Sequence, residues 1–400
     1  MRAAGGLLLG LLLGPALALA AGNPLDLDPE HVDFSENPEL RERVLESPYG
    51  YFRFINLPFA AEVCARFDAE LGVLPTVNLH GDAHLEQYAV TDVGYGFSDF
   101  DDACSGPAVL DLVRFASSLV LACRIRGYPD GAEAVLRVFF DAYELALAEP
   151  GSRTAVPRFV EGILEDFDDS RRPFLDWVQT ILEPIEPEEA ETLFAGFERY
   201  RELVHARNPR LRAEFFDVQS AGRIRIGVGS ALDRKYLLRV AGPTGGPDDD
   251  VVLEIREVRD LSGIPCIRAG EGRGAFRILL GFSRIGNVPA DFIAPLPRGE
   301  GDPLDDSEFW VHSWQAHYRE IDVETDGFSF EELLEVVRDA GLKLAAGHTA
   351  EIADPHRFAL RRMQATALSR FRARLIEVSF DMADLTVDAW ERHLRNSGPR

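Results

Sequence analysis

Two histidines, an aspartate, a glutamate and a glutamine fall close together in TVNLHGDAHLEQY, Thr76 to Tyr88: His80, Asp82, His84, Glu86 and Gln87. Some twelve residues later, SDFDDA adds Asp99, Asp101 and Asp102. Carboxylates brought close repel one another unless a cation or a hydrogen-bond donor lies between them. A divalent metal would meet that need, and a donor set made of oxygens suits magnesium or manganese. Phosphoryl transfer uses this inventory: one aspartate to accept the nucleophile's proton, an amide and a second aspartate to hold the metal, and a cation to neutralise phosphate. The same residue types also settle in polar turns, where they satisfy backbone groups. His80 and His84 divide between hydrogen bonding that shapes the loop and metal ligation.

Elements must position these groups. LPTVNL predicts a short buried strand feeding the first loop, and VGYGFSDFDDA predicts a second; antiparallel pairing of the two would set the acidic clusters side by side. PAVLDLVRFASSLVLACRIR, from Pro107 to Arg126, predicts a helix with proline at its first position. Asp111 and Arg114 lie at i and i+3 on it, where they can pair locally. Upstream, PELRERVLESPYGYFRFINLPFAAEVCARFDAEL predicts helical pieces around a turn at Ser47 and Pro48, with Arg53 as a substrate contact or a buried structural cation.

Residues 130 to about 206 predict three or four amphipathic helices, with Asp130 as an N-cap. The pattern then becomes β-like in RIRIGVGSALDRKYLLRV and DVVLEIREV. The glycines of GVGS, Gly227 to Ser230, would let backbone N–H groups approach anionic oxygens; an ordinary β-turn uses the same residues. Lys235 follows as a substitute cation or a solvated strand charge. FWVHSWQAHYREI predicts further strand, and SFEELLEVVRDAGLKLAAGHTA and 355–394 return to helix, with His348 packed in the first of them. The whole predicts an α+β protein of two lobes. Its segments are a signal over 1–20, a polar stretch over 21–37, a helical lobe part with the acidic loops over 38–210, a β-rich lobe over 211–325 and C-terminal helices over 326–400.

Composition narrows the partners. The chain has 400 residues, 46% of them hydrophobic, and a formal net charge of −25, which repels phosphate backbones and argues against nucleic acid. Its basic residues are almost all arginine, with lysine only at Lys235 and Lys343. MRAAGGLLLGLLLGPALALAAG has a basic start, a short apolar run and an A-x-A arrangement, so it reads as a cleavable secretory signal and predicts export; an uncleaved anchor or a misplaced start is the other reading. No later stretch is apolar enough to span a membrane. Cys64, Cys104, Cys123 and Cys266 lack close pairing and read as small buried residues; export would permit disulfides, but the sequence cannot pair them.

SPYGYFRF, HGDAHLEQY, FSDFDDACSGPAVLDLVRFASSL and IGVGSALDRKYLL followed by VLEIREV resemble successive motifs of the bacterial family catalogued as domain of unknown function 2252. That family is similar in its motifs to aminoglycoside phosphotransferases and the wider protein-kinase-like fold. The resemblance covers roughly 38 to 290, with a weaker echo in GLKLAAGHTA. It implies Asp82 as catalytic base, Gln87 where a metal-binding asparagine is usual, Asp99 as principal magnesium ligand and Asp101 as auxiliary ligand. It also implies Gly227, Gly229 and Ser230 as a phosphate-covering loop, Arg256 in place of a usual nucleotide-binding lysine, and Asp111 and Arg114 as braces of the acidic loop. Because the catalytic loop precedes the glycine loop, the implied kinase-like order is circularly permuted.

These expectations point to an exported kinase-like phosphotransferase using ATP or another nucleoside triphosphate with magnesium or manganese. An exported pseudokinase or ligand-binding module without turnover is the alternative, favoured by Gln87, Arg256 and the signal. A metal-dependent phosphoester hydrolase is a distant third.

Overall fold

The computed structural model describes residues 22–28, 32, 34, 37–168, 170–229, 232–268, 274–297 and 307–396. The expected signal over 1–20 and Ser230 lie outside them, and the polar segment over 21–37 does so in part.

Two helices open the body, α1 (Pro38–Glu46) and α2 (Pro48–Phe54), each started by proline behind a capping side chain. Asn37 accepts from the Leu40 N–H and Ser47 from the Gly50 N–H, so each cap satisfies one backbone donor that the helix leaves over. After α3 (Asn56–Arg66) come four short strands: β1 (Thr76–Leu79), β2 (Tyr88–Thr91), β3 (Gly94–Phe97) and β4 (Cys104–Pro107). Their pairing departs from the expectation. The strand feeding the first acidic loop pairs with β4, and β2 pairs with β3. The acidic loops still meet, because Leu79 lies opposite Cys104 at the end of the β1–β4 ladder, so one loop leaves where the other arrives.

Pro107 closes β4 rather than opening a helix; α4 (Val109–Ile125) starts two residues later, after Ala108. α4 is buried on nearly every side, which its near-continuous apolar sequence permits. Asp130 falls in a short 3₁₀ turn, and Gly131 takes the N-cap position of α5 (Ala132–Ala148). Then follow α6 (Arg158–Asp166), α7 (Arg172–Thr180) and α8 (Pro187–Arg207).

The β-rich section contains β5 (Val218–Arg223), β6 (Lys235–Val240), β7 (Val251–Glu257), α9 (Gly274–Arg284), β8 (Ala294–Pro295), β9 (Phe309–Trp314) and β10 (Tyr318–Glu320). RIRI, expected to be strand, leaves β5 at Arg223 and runs into the glycine loop, where Gly227 takes a left-handed φ of 95° that suits glycine. The chain ends in α10 (Phe330–His348), started by a capping box between Ser329 and Glu332, and α11 (His356–Asn396). Mixed helix and antiparallel sheet is therefore the observed class: β5-β6-β7-β9-β8 form one five-stranded sheet, and β10-β2-β3 a smaller one.

The two faces of the five-stranded sheet divide by strand alternation. On one face Tyr236, Leu238, Leu253, Ile255 and Val311 pack with Leu193, Phe197 and Tyr200 of α8. The other face bears Leu237 and Val252, covered by Leu175 and Val178 of α7, and then Lys235, Glu254 and Arg256, which border an open cleft. A larger core joins α1–α5, α10 and α11. A disulfide between Cys64 on α3 and Cys266, in the connection from β7 to α9, ties the helical body to the sheet section. Those two cysteines are thus cross-linked rather than simply packed, while Cys104 and Cys123 are thiols.

Candidate functional site

The first acidic loop is gripped from α4. Asp111 accepts hydrogen bonds from the His80 N–H (2.7 Å) and the Gly81 N–H (2.9 Å), and His348 Nε2 lies 3.0 Å from it. Arg114 donates from Nε to Asp82 Oδ1 at 2.8 Å and from Nη2 to the Phe52 carbonyl at 2.9 Å, with its guanidinium 3.6 Å from the Phe52 ring centroid. Asp111 and Arg114 therefore do not pair with each other: each spends its charge on the loop. His80 Nε2 donates to the Ser98 carbonyl at 2.8 Å while Nδ1 accepts from the Asp82 N–H, so the proton sits on Nε2. Gly81, at φ 85°, packs so tightly that a Cβ there would lie 1.9 Å from the Asp102 carbonyl oxygen. The two acidic loops touch backbone to backbone.

Electrostatics follow from this burial. Desolvation pushes the Asp82 carboxyl up to about 7, against the pull of Arg114. Burial, then Arg53 and Arg114, push His84 well below the ordinary imidazole range, so it is neutral, with Nε2 3.8 Å from Asp82 Oδ2. Arg53 bonds Glu86 at 2.8 Å, and burial raises that carboxyl to about 7.

Asp99 adopts φ 56°, a conformation uncommon outside glycine that costs roughly 1–3 kcal/mol where it is imposed. Its Oδ1 accepts from Arg256 Nη1 at 3.1 Å, and the Gln87 amide lies 3.4 Å from Oδ2. Arg256 Nη2 is ion-paired with Asp101, and its Nε faces Glu254 at 3.8 Å. Burial works against the charge on Asp99, yet Arg256 and Lys235 hold its carboxyl below the ordinary range. For Asp101, burial pushes the carboxyl upward and the Arg256 ion pair opposes that push. Glu254 is also buried, but Arg256 and the His312 bond outweigh desolvation and hold it at about 2. Asp102 receives Arg259 and Asn56.

The glycine loop closes the arrangement. A Cβ on Gly229 would lie 3.2 Å from the Arg53 carbonyl and 3.8 Å from Asp82 Oδ2, so the loop passes directly over the acidic floor. Lys235 donates to the Ile226 carbonyl (3.1 Å) and Arg259 to the Gly229 carbonyl (2.7 Å), anchoring the loop at both ends. Lys235 is buried rather than solvated, and desolvation followed by Arg256 lowers it to about 8. It stands opposite Arg256 in the β6–β7 register, a like-charge juxtaposition offset by the neighbouring acids. The resulting cavity, of about 870 Å³, is bordered by Arg53, Asp82, His84, Gln87, Asp99, Asp101, Gly227, Gly229, Lys235 and Arg256. Asp111 and Arg114 support it from behind. Ser230 lies outside the described residues.

Asp99, Asp101 and Gln87 supply the oxygen chemistry that magnesium or manganese prefers. Their arrangement does not fit a resident ion: the Arg256 guanidinium spans both carboxylates. Among the described residues no group of three or more His, Cys, Asp or Glu is arranged to hold a metal.

Several site residues escaped the sequence reading. Glu254 receives His312 Nε2 at 3.0 Å and Trp314 Nε1 at 2.7 Å. Trp310, His312 and Trp314 share one face of β9, which the alternation in FWVHSW could have revealed. Phe174, Trp177 and Tyr318 complete an aromatic end of the cavity, and Trp177 stacks on Trp314 with centroids 5.9 Å apart. Arg259 and Asn56 carried no local signal, because their partners lie far away in sequence.

Residues 37–164 match a family model described as an uncharacterized protein conserved in bacteria (DUF2252). That span contains both acidic loops and the α4 pair, and stops before the glycine loop, Lys235 and Arg256. No curated protein and no solved structure matches the chain.

Proposed function

We propose that the cleft is a kinase-like ligand site, circularly permuted in chain order, which receives ATP or another nucleoside triphosphate and transfers a phosphoryl group to a hydroxyl acceptor. The observation that carries this reading is the passage of Gly229 within 3.8 Å, measured from its would-be Cβ, of Asp82 Oδ2. It supports a glycine loop over phosphates and a carboxylate beneath them, in one cavity. In this reading Asp82 accepts the acceptor's proton, Arg114 fixes its orientation, and the glycine loop excludes water from the transferring group. Magnesium or manganese enters as the counter-ion that a triphosphate brings with it.

A carboxyl at about 7 is half ionised near neutrality, which suits a general base. Phosphoryl transfer from ATP should therefore rise with pH through about 7, and Asp82→Asn should lower it by about 10²-fold or more. A variant as fast as the wild type, with the same pH profile, would remove Asp82 from the chemistry.

The second reading is a binding protein without turnover, and the grip of Arg256 on both Asp99 and Asp101 favours it. The disulfide supports the exported address, since oxidising compartments sustain such links. There a nucleoside triphosphate is scarce, which also favours binding alone. No helix among the described residues is long and apolar enough to cross a membrane.

A further inference from the structure

The centre of the cleft presents a charge problem that a metal would ordinarily solve. Asp99, Asp101 and Glu254 converge from two separate parts of the chain, and carboxylates this close cannot all ionise without a cation among them. The cation that stands there is a side chain. Arg256 gives Nη1 to Asp99 at 3.1 Å and Nη2 to Asp101, and its Nε faces Glu254 at 3.8 Å, a charge contact rather than a hydrogen bond. It is buried, and β7 fixes its position by pairing with β6 on one side and β9 on the other. A planar fork can bridge two carboxylates at once, which an ammonium on a flexible stem cannot do in the same way.

We propose that Arg256 is the built-in cation of this site, holding the place between Asp99 and Asp101 that a divalent ion would otherwise take, so that the ligand-free protein has no divalent metal seat there until this guanidinium is removed. The proposal rests on the cleft of the preceding reading being the functional one, but not on its nucleotide or its chemistry. It also makes the difference between arginine and lysine at this position a difference in metal dependence. Arg256 spends its charge on carboxylates, and an anionic ligand must then be met by Lys235, by the glycine loop's backbone, or by cations of its own.

The test is manganese binding to nucleotide-free protein, read by the electron paramagnetic resonance of unbound Mn²⁺ and by thermal melting. The wild type should show no saturable binding at sub-millimolar Mn²⁺. Arg256→Ala should bind Mn²⁺ about tenfold more tightly or better, because the acids that Arg256 neutralises then lack their cation. Its melting temperature should rise with Mn²⁺, and Asp99→Asn added to Arg256→Ala should abolish both effects. Arg256→Gln, which keeps a neutral donor near Asp99, serves the same comparison if the alanine variant does not fold without metal. Saturable Mn²⁺ binding by the wild type that Asp99→Asn removes would overturn the proposal. So would folded Arg256→Ala or Arg256→Gln protein with no greater affinity than wild type. Neither result depends on whether ATP binds, so failure here and failure of the nucleotide reading are separate outcomes.

Discussion

Asp82 sits in a buried ion pair whose two members have different dependences. Arg114 is 2% exposed and bonded to Asp82 and the Phe52 carbonyl, so removing it strands a buried carboxylate. Arg114→Ala should cost about 3–5 kcal/mol in denaturant unfolding; a loss within the range of a surface change would contradict the pairing. Asp82 also predicts a pH effect. Its folded value of about 7 lies above the ordinary aspartate range, so its stabilising contribution is fully present below about 4 and is lost as pH rises through about 7. The stability of wild type minus that of Asp82→Asn should fall between those limits; a difference that stays flat or rises would contradict it. Asp82 and Asp99 were legible in the sequence because short local motifs announce residue type and spacing. The partners of Asp99 were not: Arg256 lies 157 positions away, and no local pattern encodes that meeting. Lys235 was misjudged for a related reason, since a lysine on a strand is solvated unless the far side of the cleft covers it, as it does here.

At the scale of elements, close backbone approach determines where the acids stand. Gly81 joins the β1 loop to the β4 loop with no room for a Cβ, the nearest backbone oxygen being 1.9 Å from that position, and its φ lies in glycine territory. Gly81→Ala should therefore destabilise the fold and weaken ligand binding together, whereas Gly72→Ala, where nothing lies within 4 Å, should change neither. Equal effects of the two substitutions would show that the contact is not required. The sequence disclosed β1, β3 and the helix after them but not β2 or β4, which are the true partners of β3 and β1, because alternation locates a strand without naming its neighbour. It read GVGS as a loop between strands but carried the preceding strand on to Ile226, three residues past the end of β5 at Arg223, because apolar and basic residues alternate there. The disulfide was beyond reach of spacing altogether, at a separation of 202. Cys64→Ser with Cys266→Ser should lower stability by about 2–4 kcal/mol, measured by denaturant titration without reductant. No change would mean that α3 and the β7–α9 connection are held by packing alone.

The molecule as a whole presents a ligand with a strongly acidic setting. The net charge is −25, and the cavity is bordered by eight carboxylates against five basic side chains. Much of that basic charge is already committed to ion pairs within the site. A bare triphosphate should be repelled, so binding should require a divalent counter-ion and weaken when that ion is chelated. The central claim is that the glycine loop and the acidic loops form one ligand site, and calorimetric titration of ATP with magnesium tests it most directly, using wild type, Asp99→Ala and Gly229→Val. The account predicts saturable binding by the wild type that both substitutions abolish while the variants remain folded. Heat of dilution alone from folded wild-type protein, or binding untouched by both substitutions, would contradict it.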